Sequence, residues 1–390
     1  MLYILAVMHM LVDAVTISTL YSAVGGHSPE NILTWTLVYN FLAFSTQMIT
    51  GAGADLTAAK CGTGTRLYRL LRRKSDIYLM FAITGSLIAI LSAFLPMGVV
   101  VRIVLAGIGN SLFHVGGGAY ALHEHKGKAY AAGVFVGPGA LGVALGTLYT
   151  PRGSLLATDL LSFTVILFLI WILIGRLGRG QGRITVAIRQ MLSRERLESV
   201  REPVRAEVSS GIRPGVRLMA VLFLLTAVLF RAASAYYPSS SWKTGTFAVM
   251  AAAVCIAAGK IAGGIAADRI GTAKVMFLSV FVSTPLVLLF PDSFNGGLIS
   301  LFLINLAMPV TLVLVYRYMP KFPAFAFGLA SSVIAPGVLI GSYSARQLSR
   351  LDSPTQKILY TGVALAILIL VLISNYLIWR QNKERSNGGT

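Results

Sequence analysis

Long apolar stretches set the strongest limit on how this 390-residue chain can fold. Twelve of them reach about 20 residues, the length at which a helix crosses the hydrocarbon core of a lipid bilayer. Hydrophobic residues make up 56% of the chain and charged residues 12%, about half the charge of a typical soluble protein. The sequence therefore predicts an all-α membrane protein with twelve transmembrane helices, and it excludes the soluble enzyme classes.

Basic residues at the span ends predict the orientation of the chain. Arginines and lysines crowd the connection after the second span, and residues 176–217, after the sixth, contain ten arginines. Because Lys and Arg accumulate on the cytoplasmic side, we expect both connections and both termini there, in a multi-pass protein of a bacterial or archaeal cell membrane. Arg346, Arg350 and Lys357 run against this bias. The spans are predicted to begin near Leu2, Asn31, Asp76, Gly98, Lys128, Leu155, Val216, Thr244, Val275, Gly297, Ala324 and Ile358.

Two short segments that close apolar runs indicate an internal repeat. Gly51-Ala52-Gly53-Ala54-Asp55 and Gly264-Ile265-Ala266-Ala267-Asp268 lie 213 residues apart, and the Gly-Pro pair at 137–138 has a counterpart in Ala335-Pro336, 198 residues later. Small residues let two helices approach closely, so each carboxylate can reach a neighbouring helix N-terminus or a basic side chain. We predict an amino-terminal six-helix bundle over 1–175, a basic cytoplasmic linker over 176–215 and a carboxy-terminal six-helix bundle with a short tail over 216–390.

The second of these segments continues as Arg269-Ile270-Gly271-Thr272-Ala273-Lys274. The resulting pattern, Gly-x-x-Ala-Asp-Arg-x-Gly-x-x-Lys, resembles the loop motif of the major facilitator superfamily. The resemblance implies two pseudo-symmetric six-helix bundles that alternate access by rocking, with gating roles for Asp55, Asp268 and Arg269. Lys260, two turns before Asp268, is expected to be a gate or a packing partner of the motif.

The fifth span, Gly133-Val134-Phe135-Val136-Gly137-Pro138-Gly139-Ala140-Leu141-Gly142, resembles the antiporter motif of proton-coupled drug exporters. In that motif the Gly-Pro element bends the helix, which implies a gating role for Gly137 and Pro138. His9-x-x-x-Asp13 together with Phe113-His114-Val115-Gly116-Gly117-Gly118 resembles the exporters of the fosmidomycin-resistance type. These resemblances favour export over uptake.

Ionisable residues inside predicted spans are expensive to bury and are therefore functional candidates. His9 and Asp13, four residues apart, share one helix face at about 12–18 Å from the span end. Asn110 and His114 in the fourth span are expected at a similar depth. The resemblance implies that both spans line the central cavity, where Asp13, His9 and His114 would couple transport to protons. The alternative is a buried ion pair that only fixes helix packing.

The carboxy-terminal half offers basic and amide groups instead. Arg231 lies in the seventh span, and Asn305 and Thr311 flank Met308-Pro309 in the tenth, where proline can kink the helix. Asn110, Arg231, Asn305 and Thr311 are the predicted substrate contacts. Arg231 could hold an anionic group, pair with Asp13 or extend toward the outer interface.

These patterns favour a proton-coupled antiporter that exports a small organic compound. Proton-coupled uptake of an organic anion is the second hypothesis, and a membrane scaffold or sensor without transport is the third. No phosphate-binding loop of an ATPase occurs in the sequence, and we expect neither enzymatic activity, nor a cofactor, nor a metal site, nor nucleic-acid binding. The net charge of +19 is assigned to topology and to anionic lipid at the cytoplasmic face. We expect a monomer, and short interfacial helices after Asp55 and in the linker.

Overall fold

The computed structural model describes residues 1–25, 28–60, 73–148, 213–234 and 242–388 of the protein. The described residues form helices joined by short turns. In chain order these are α1 (Leu2–Val24), α2 (Pro29–Asn40), α3 (Gln47–Ala59), α4 (Lys74–Phe94), α5 (Val99–Glu124), α6 (Ala129–Val136), α7 (Gly139–Leu148), α8 (Pro214–Ser234), α9 (Gly245–Ile270), α10 (Thr272–Leu289), α11 (Phe294–Asn305), α12 (Ala307–Tyr318), α13 (Pro323–Ser332), α14 (Ile334–Leu348) and α15 (Ser353–Gly388).

Eleven helical segments of the described residues are long and apolar enough to cross a membrane. Each begins within a few residues of a predicted span, so the prediction is confirmed for eleven spans. The predicted sixth span, near 155, lies outside the described residues. The same holds for the two predicted interfacial segments, over 61–72 and in the linker over 176–212.

Four of the eleven described spans consist of more than one regular helix because the backbone is interrupted. In the second span, a π-helical turn over Phe41–Ser45 separates α2 from α3. In the fifth, Gly137 and Pro138 separate α6 from α7, since proline has no amide hydrogen to continue the helix. The tenth span is interrupted at Leu306 and the eleventh at Val333. Irregular backbone of this kind is tolerated in membranes only where other groups satisfy it.

Close packing within the amino-terminal half depends on glycine. Helices α4 and α5 are in contact over much of their length. A methyl group added at Gly109 would lie 2.6 Å from the Ala89 nitrogen, and one at Gly85 would lie 2.6 Å from the Gly109 carbonyl oxygen. Because only hydrogen fits at these positions, the two backbones approach closely and hold α5 in a fixed position beside α1.

Candidate functional site

Two aspartates join the halves of the protein at one end of the bundle, which we call the latch end. Asp55, at the end of the second span, accepts hydrogen bonds from the backbone amides of Ala324 (3.2 Å) and Phe325 (2.8 Å) at the start of α13. Asp268 accepts from the amides at the start of α6, Ala129 at 2.9 Å and Tyr130 at 2.8 Å. Each carboxylate therefore satisfies free amides of a helix N-terminus in the opposite half.

Glycine makes each latch possible. A methyl group at Gly51 would lie 2.7 Å from the Ala324 carbonyl carbon, and one at Gly264 would lie 2.9 Å from the Ala129 carbonyl carbon. Gly51 and Gly264 are 213 residues apart, and so are Asp55 and Asp268. The expectation that small residues would let each carboxylate reach a neighbouring helix N-terminus agrees with this geometry.

The polar residues of the first and fourth spans meet inside the amino-terminal half. The Nε2 atom of His9 lies 3.3 Å from Asp13 Oδ2, and the Nε2 atom of His114 lies 3.6 Å from Asp13 Oδ1. Asn110 donates from Nδ2 to Asp13 Oδ1 at 2.9 Å. We call His9, Asp13, Asn110 and His114 the acid–histidine cluster. All four residues that the sequence placed at one depth are thus in contact.

Backbone carbonyls fix which nitrogen of each histidine faces the carboxylate. His9 Nδ1 contacts the Phe135 carbonyl oxygen at 2.8 Å, and His114 Nδ1 contacts the Asn110 carbonyl oxygen at 2.9 Å. A carbonyl oxygen can only accept, so each Nδ1 carries a hydrogen. In the neutral form of each ring, Nε2 then has the free lone pair, and this lone pair points at Asp13.

A second layer of hydroxyl groups orients the cluster. Thr16 Oγ1 accepts from Tyr39 (2.8 Å) and from Asn110 Nδ2 (3.3 Å), and it donates to the Val12 carbonyl oxygen. The remaining amide oxygen, Asn110 Oδ1, is buried without a hydrogen-bond partner among the described residues. Neither Thr16 nor Tyr39 was identified from the sequence, because isolated threonines and tyrosines in a span carry no recognisable pattern.

The cluster is closed in this conformation. His9, Asp13 and His114 are only 4%, 8% and 7% exposed. Gly139 of α7 covers them, because a methyl group there would lie 2.7 Å from Asp13 Oδ2. The side chains face the fifth span, so the expectation that they line a water-filled cavity does not describe this closed state.

Divalent metals bind the same residue types. The three donor atoms of His9, Asp13 and His114 all lie within 4.8 Å of one another. Asn110 donates to the same carboxylate, as outer-shell groups also do around metal ligands. The donor set is compatible with a proton and with a metal ion, so the expected absence of a metal site stays a prediction.

The interruption of the fifth span supplies acceptors to both halves. Ala140 donates its amide to Gly137 rather than to Val136, so the helical bonding is broken around Pro138. The Phe135 oxygen accepts from His9, and the Val136 oxygen contacts Lys260 Nζ of the other half at 3.4 Å. Gly137 and Pro138 therefore place two consecutive carbonyls between the acid–histidine cluster and Lys260.

The predicted substrate contacts do not all converge. Arg231 and Asn305 line one cavity of about 270 Å³ in the carboxy-terminal half. Thr311 is buried and donates to the Met308 carbonyl oxygen in the first turn of α12, and Asn110 belongs to the acid–histidine cluster. Arg269 is exposed on the last turn of α9 and has no contact with the latch carboxylates among the described residues.

Several contributing residues had no clear signal in the sequence. Tyr78 of the third span donates its hydroxyl to Asp55 at 2.8 Å. Lys243 and Trp242 join Arg231 at the cavity. Near the Asp268 latch, His125 Nδ1 lies 2.6 Å from the Tyr130 hydroxyl, and burial lowers the pKa of this histidine.

No protein-family model and no curated protein sequence matches the chain. Among solved structures, that of the fucose:proton symporter FucP of E. coli is similar with a TM-score of 0.54 and 14% sequence identity. The similarity covers 95% of this chain and 97% of that one. The all-helical architecture of the described residues, their eleven helical segments that are long and apolar enough to cross a membrane, and this similarity identify a multi-pass integral membrane protein with the major facilitator fold.

Proposed function

We propose that the protein is a proton-coupled secondary transporter that exports a small organic compound by antiport, with Asp13, His9 and His114 as the proton site. The observation that carries this proposal is the facing of two histidine lone pairs toward one carboxylate. An ionised Asp13 opposite two neutral rings would place lone pairs against negative charge at 3.3 and 3.6 Å. At least one exchangeable proton must therefore reside in the cluster while it is closed.

Lys260 supplies the link between this proton and the other half. It is anchored to the Val136 carbonyl next to the acceptor of His9. A carboxylate that loses its proton attracts the ammonium group, and one that gains a proton releases it. We propose that protonation of Asp13 weakens the hold of Lys260 on the fifth span and so favours separation of α6 from α9.

The Asp55 and Asp268 contacts would control which end of the bundle is open. Asp55 and Asp268 close one end of the bundle in the state described, and the proposed cycle requires both contacts to break so that the opposite end can close. We place the latch end and both termini on the cytoplasmic side, because in the sequence the basic segment 61–74 follows the span that carries Asp55 and the basic segment 176–217 leads into α8. Anionic lipid would then contact these segments.

The direction of export rests on the fifth span. The Gly137–Pro138 interruption that resembles the antiporter motif lies directly over the proton site, where Gly139 covers Asp13. Uptake of an organic anion together with a proton is the second candidate. It is favoured by the two cations, Arg231 and Lys243, at the cavity of the carboxy-terminal half.

Everted vesicles with an acid interior test the proposal. An exported compound added outside should enter in exchange for protons and raise the fluorescence of a quenched acridine dye. We expect Asp13→Asn to abolish this response across a compound panel. Asp352→Asn is the matched control, because Asp352 is an exposed carboxylate at a helix start. A full response from Asp13→Asn would refute the proton site.

Charge movement separates the two candidates. Exchange of one proton for one exported monoanion moves two positive charges inward, whereas symport of a proton with a monoanion moves none. In proteoliposomes with a potassium diffusion potential set by valinomycin, antiport should accelerate with an interior-negative potential. A transport rate that does not depend on the membrane potential would contradict export of a monoanion by antiport and would favour electroneutral uptake.

A further inference from the structure

The cavity of about 270 Å³ that Arg231 and Asn305 line lies inside the carboxy-terminal half. Its walls come from α8, α9, α10, α11 and α15 and from the loops before α9 and α11. None of the described residues that line it belongs to the amino-terminal half. Among the described residues, the cavity therefore has no wall in common with the acid–histidine cluster.

Two cations reach this cavity without an acidic neighbour on its described walls. The Nε atom of Arg231 is buried and has no hydrogen-bond partner among the described residues. Lys243 is exposed and also lines the cavity, with its ammonium group 5.4 Å from the ring centre of Trp242. A buried guanidinium nitrogen without a hydrogen-bond partner is unfavourable, and an anion from solution would relieve this penalty.

The other residues that line the cavity indicate the chemistry of the uncharged part of the ligand. Ile256, Val287, Phe290, Leu301 and Ile304 form an apolar surface, and Ser300 and Asn305 add polar groups. The volume lies just below the range of small-molecule sites, which begins at about 300 Å³. An ion of inorganic phosphate would leave the apolar wall uncovered, whereas a compact ring or short chain would cover it.

We propose that this cavity binds a small organic monoanion, with its charged group at Arg231 and Lys243 and its apolar body against Phe290 and Ile304. The inference rests on the proposed function in that the bound anion is the transported solute. It corrects the geometry expected from the sequence, because Arg231 neither pairs with Asp13 nor shares a cavity with Asn110 in the described residues.

Binding of benzenesulfonate to the purified full-length protein in neutral detergent tests the proposal. This probe stays a monoanion at all working pH values, and benzenesulfonamide is a neutral probe of nearly equal shape. Calorimetry should show the sulfonate binding at least about tenfold more tightly than the sulfonamide. Equal affinities, or no binding of the sulfonate at millimolar concentration, would overturn the anion site.

Variants locate the binding site. Arg231→Met keeps an unbranched, flexible side chain and removes the charge together with the unsatisfied Nε atom, so it should fold and lose about 10- to 100-fold in sulfonate affinity. Arg231→Lys should retain most of the affinity, and Lys243→Met should lose less because Lys243 is exposed. Lys357→Met is the control, since Lys357 is an exposed lysine that does not line the cavity. Unchanged affinity in Arg231→Met would overturn the assignment.

A fluorescence measurement checks that the ligand binds beside Trp242. Trp242 fluorescence, in a background with Trp35, Trp171 and Trp379 replaced by Phe, should change on binding.

Two further measurements identify the bound molecule and separate this inference from proton coupling. In nanodiscs of phosphatidylcholine, addition of phosphatidylglycerol should leave sulfonate binding unchanged, and displacement would overturn the solute as occupant in favour of a lipid headgroup. Asp13→Asn should bind the sulfonate normally because no proton gradient is present, so failure of the proton site would leave this result intact.

Discussion

The two halves of the protein handle buried charge in opposite ways. In the amino-terminal half, Asp13 is enclosed with two histidines and an amide that satisfy it, and glycine of the fifth span covers the group. In the carboxy-terminal half, Arg231 has a buried nitrogen without a partner among the described residues, beside a cavity. One half thus supplies partners for its buried carboxylate, while the described part of the other leaves a guanidinium nitrogen unsatisfied. Under the proposed function, coupling and recognition would be divided between the two halves.

The largest effect is expected when the carboxy-terminal half receives its own carboxylate, because Arg231 would then have a counter-ion as Asp13 has its partners. Asn305→Asp places an acidic group on the wall that Arg231 lines, so the two side chains can neutralise each other. We expect benzenesulfonate affinity to fall about 100-fold, with the loss partly recovered at acidic pH as the new carboxyl is protonated. Calorimetry at pH 5 and pH 8 measures both effects. Asn305→Ala, which adds no charge, should lose far less.

A substitution that disturbs the packing over the acid–histidine cluster tests the amino-terminal half. Gly139→Ala adds one methyl group against Asp13 and His9 and removes no ionisable group. We expect a loss of stability of about 1–3 kcal/mol from overpacking and a shifted pH profile of dye dequenching. Thermal unfolding in detergent gives the first, and vesicle assays between pH 6 and 8 give the second. Gly53→Ala is the control, because nothing lies within 4 Å of a methyl group there. An unchanged pH profile would mean that Gly139 does not position the proton site.

The Asp55 and Asp268 latches should contribute nearly equally to the stability of the closed end, although the two halves differ in chemistry. Asp55→Asn and Asp268→Asn each weaken two hydrogen bonds to a helix N-terminus and should each destabilise the closed end by about 1–3 kcal/mol. Spin labels across the latch end would report the change as a larger population of long distances. The Asp55 variant should show the larger effect because Asp55 also accepts from Tyr78. A Tyr78→Phe variant should remove this difference.

The smallest expected effect is a pH dependence confined to the Asp268 latch. Burial lowers the pKa of His125, with Glu124 acting in the opposite direction, so the folded protein favours the neutral ring. Its contribution to stability is complete above the unfolded value of about 6.5 and declines as the pH falls below it. Thermal unfolding between pH 7.5 and 5.5 should show this decline, and His125→Gln should flatten it. An identical slope in the variant would assign the dependence to another group.

The sequence predicted the positions of the eleven described spans and the meeting of His9, Asp13, Asn110 and His114, because hydropathy and helical spacing encode depth and face. It did not predict that the cluster would be closed or that Arg231 would face a cavity within its own half. Both outcomes depend on the rotation of one helix against another, which side-chain packing sets and local pattern does not. Lys243 and Trp242 escaped notice because a loop lysine beside an aromatic residue is common on any membrane protein.

The reciprocal latches imply that neither half is complete as a separate polypeptide. Asp55 is encoded in the first half and serves α13 of the second, while Asp268 is encoded in the second and serves α6 of the first. A fragment ending in the central linker would leave its own carboxylate without amides and its own helix start without a carboxylate. Two such fragments carry matching unmet bonds, which is the physical condition for fragment complementation in the membrane.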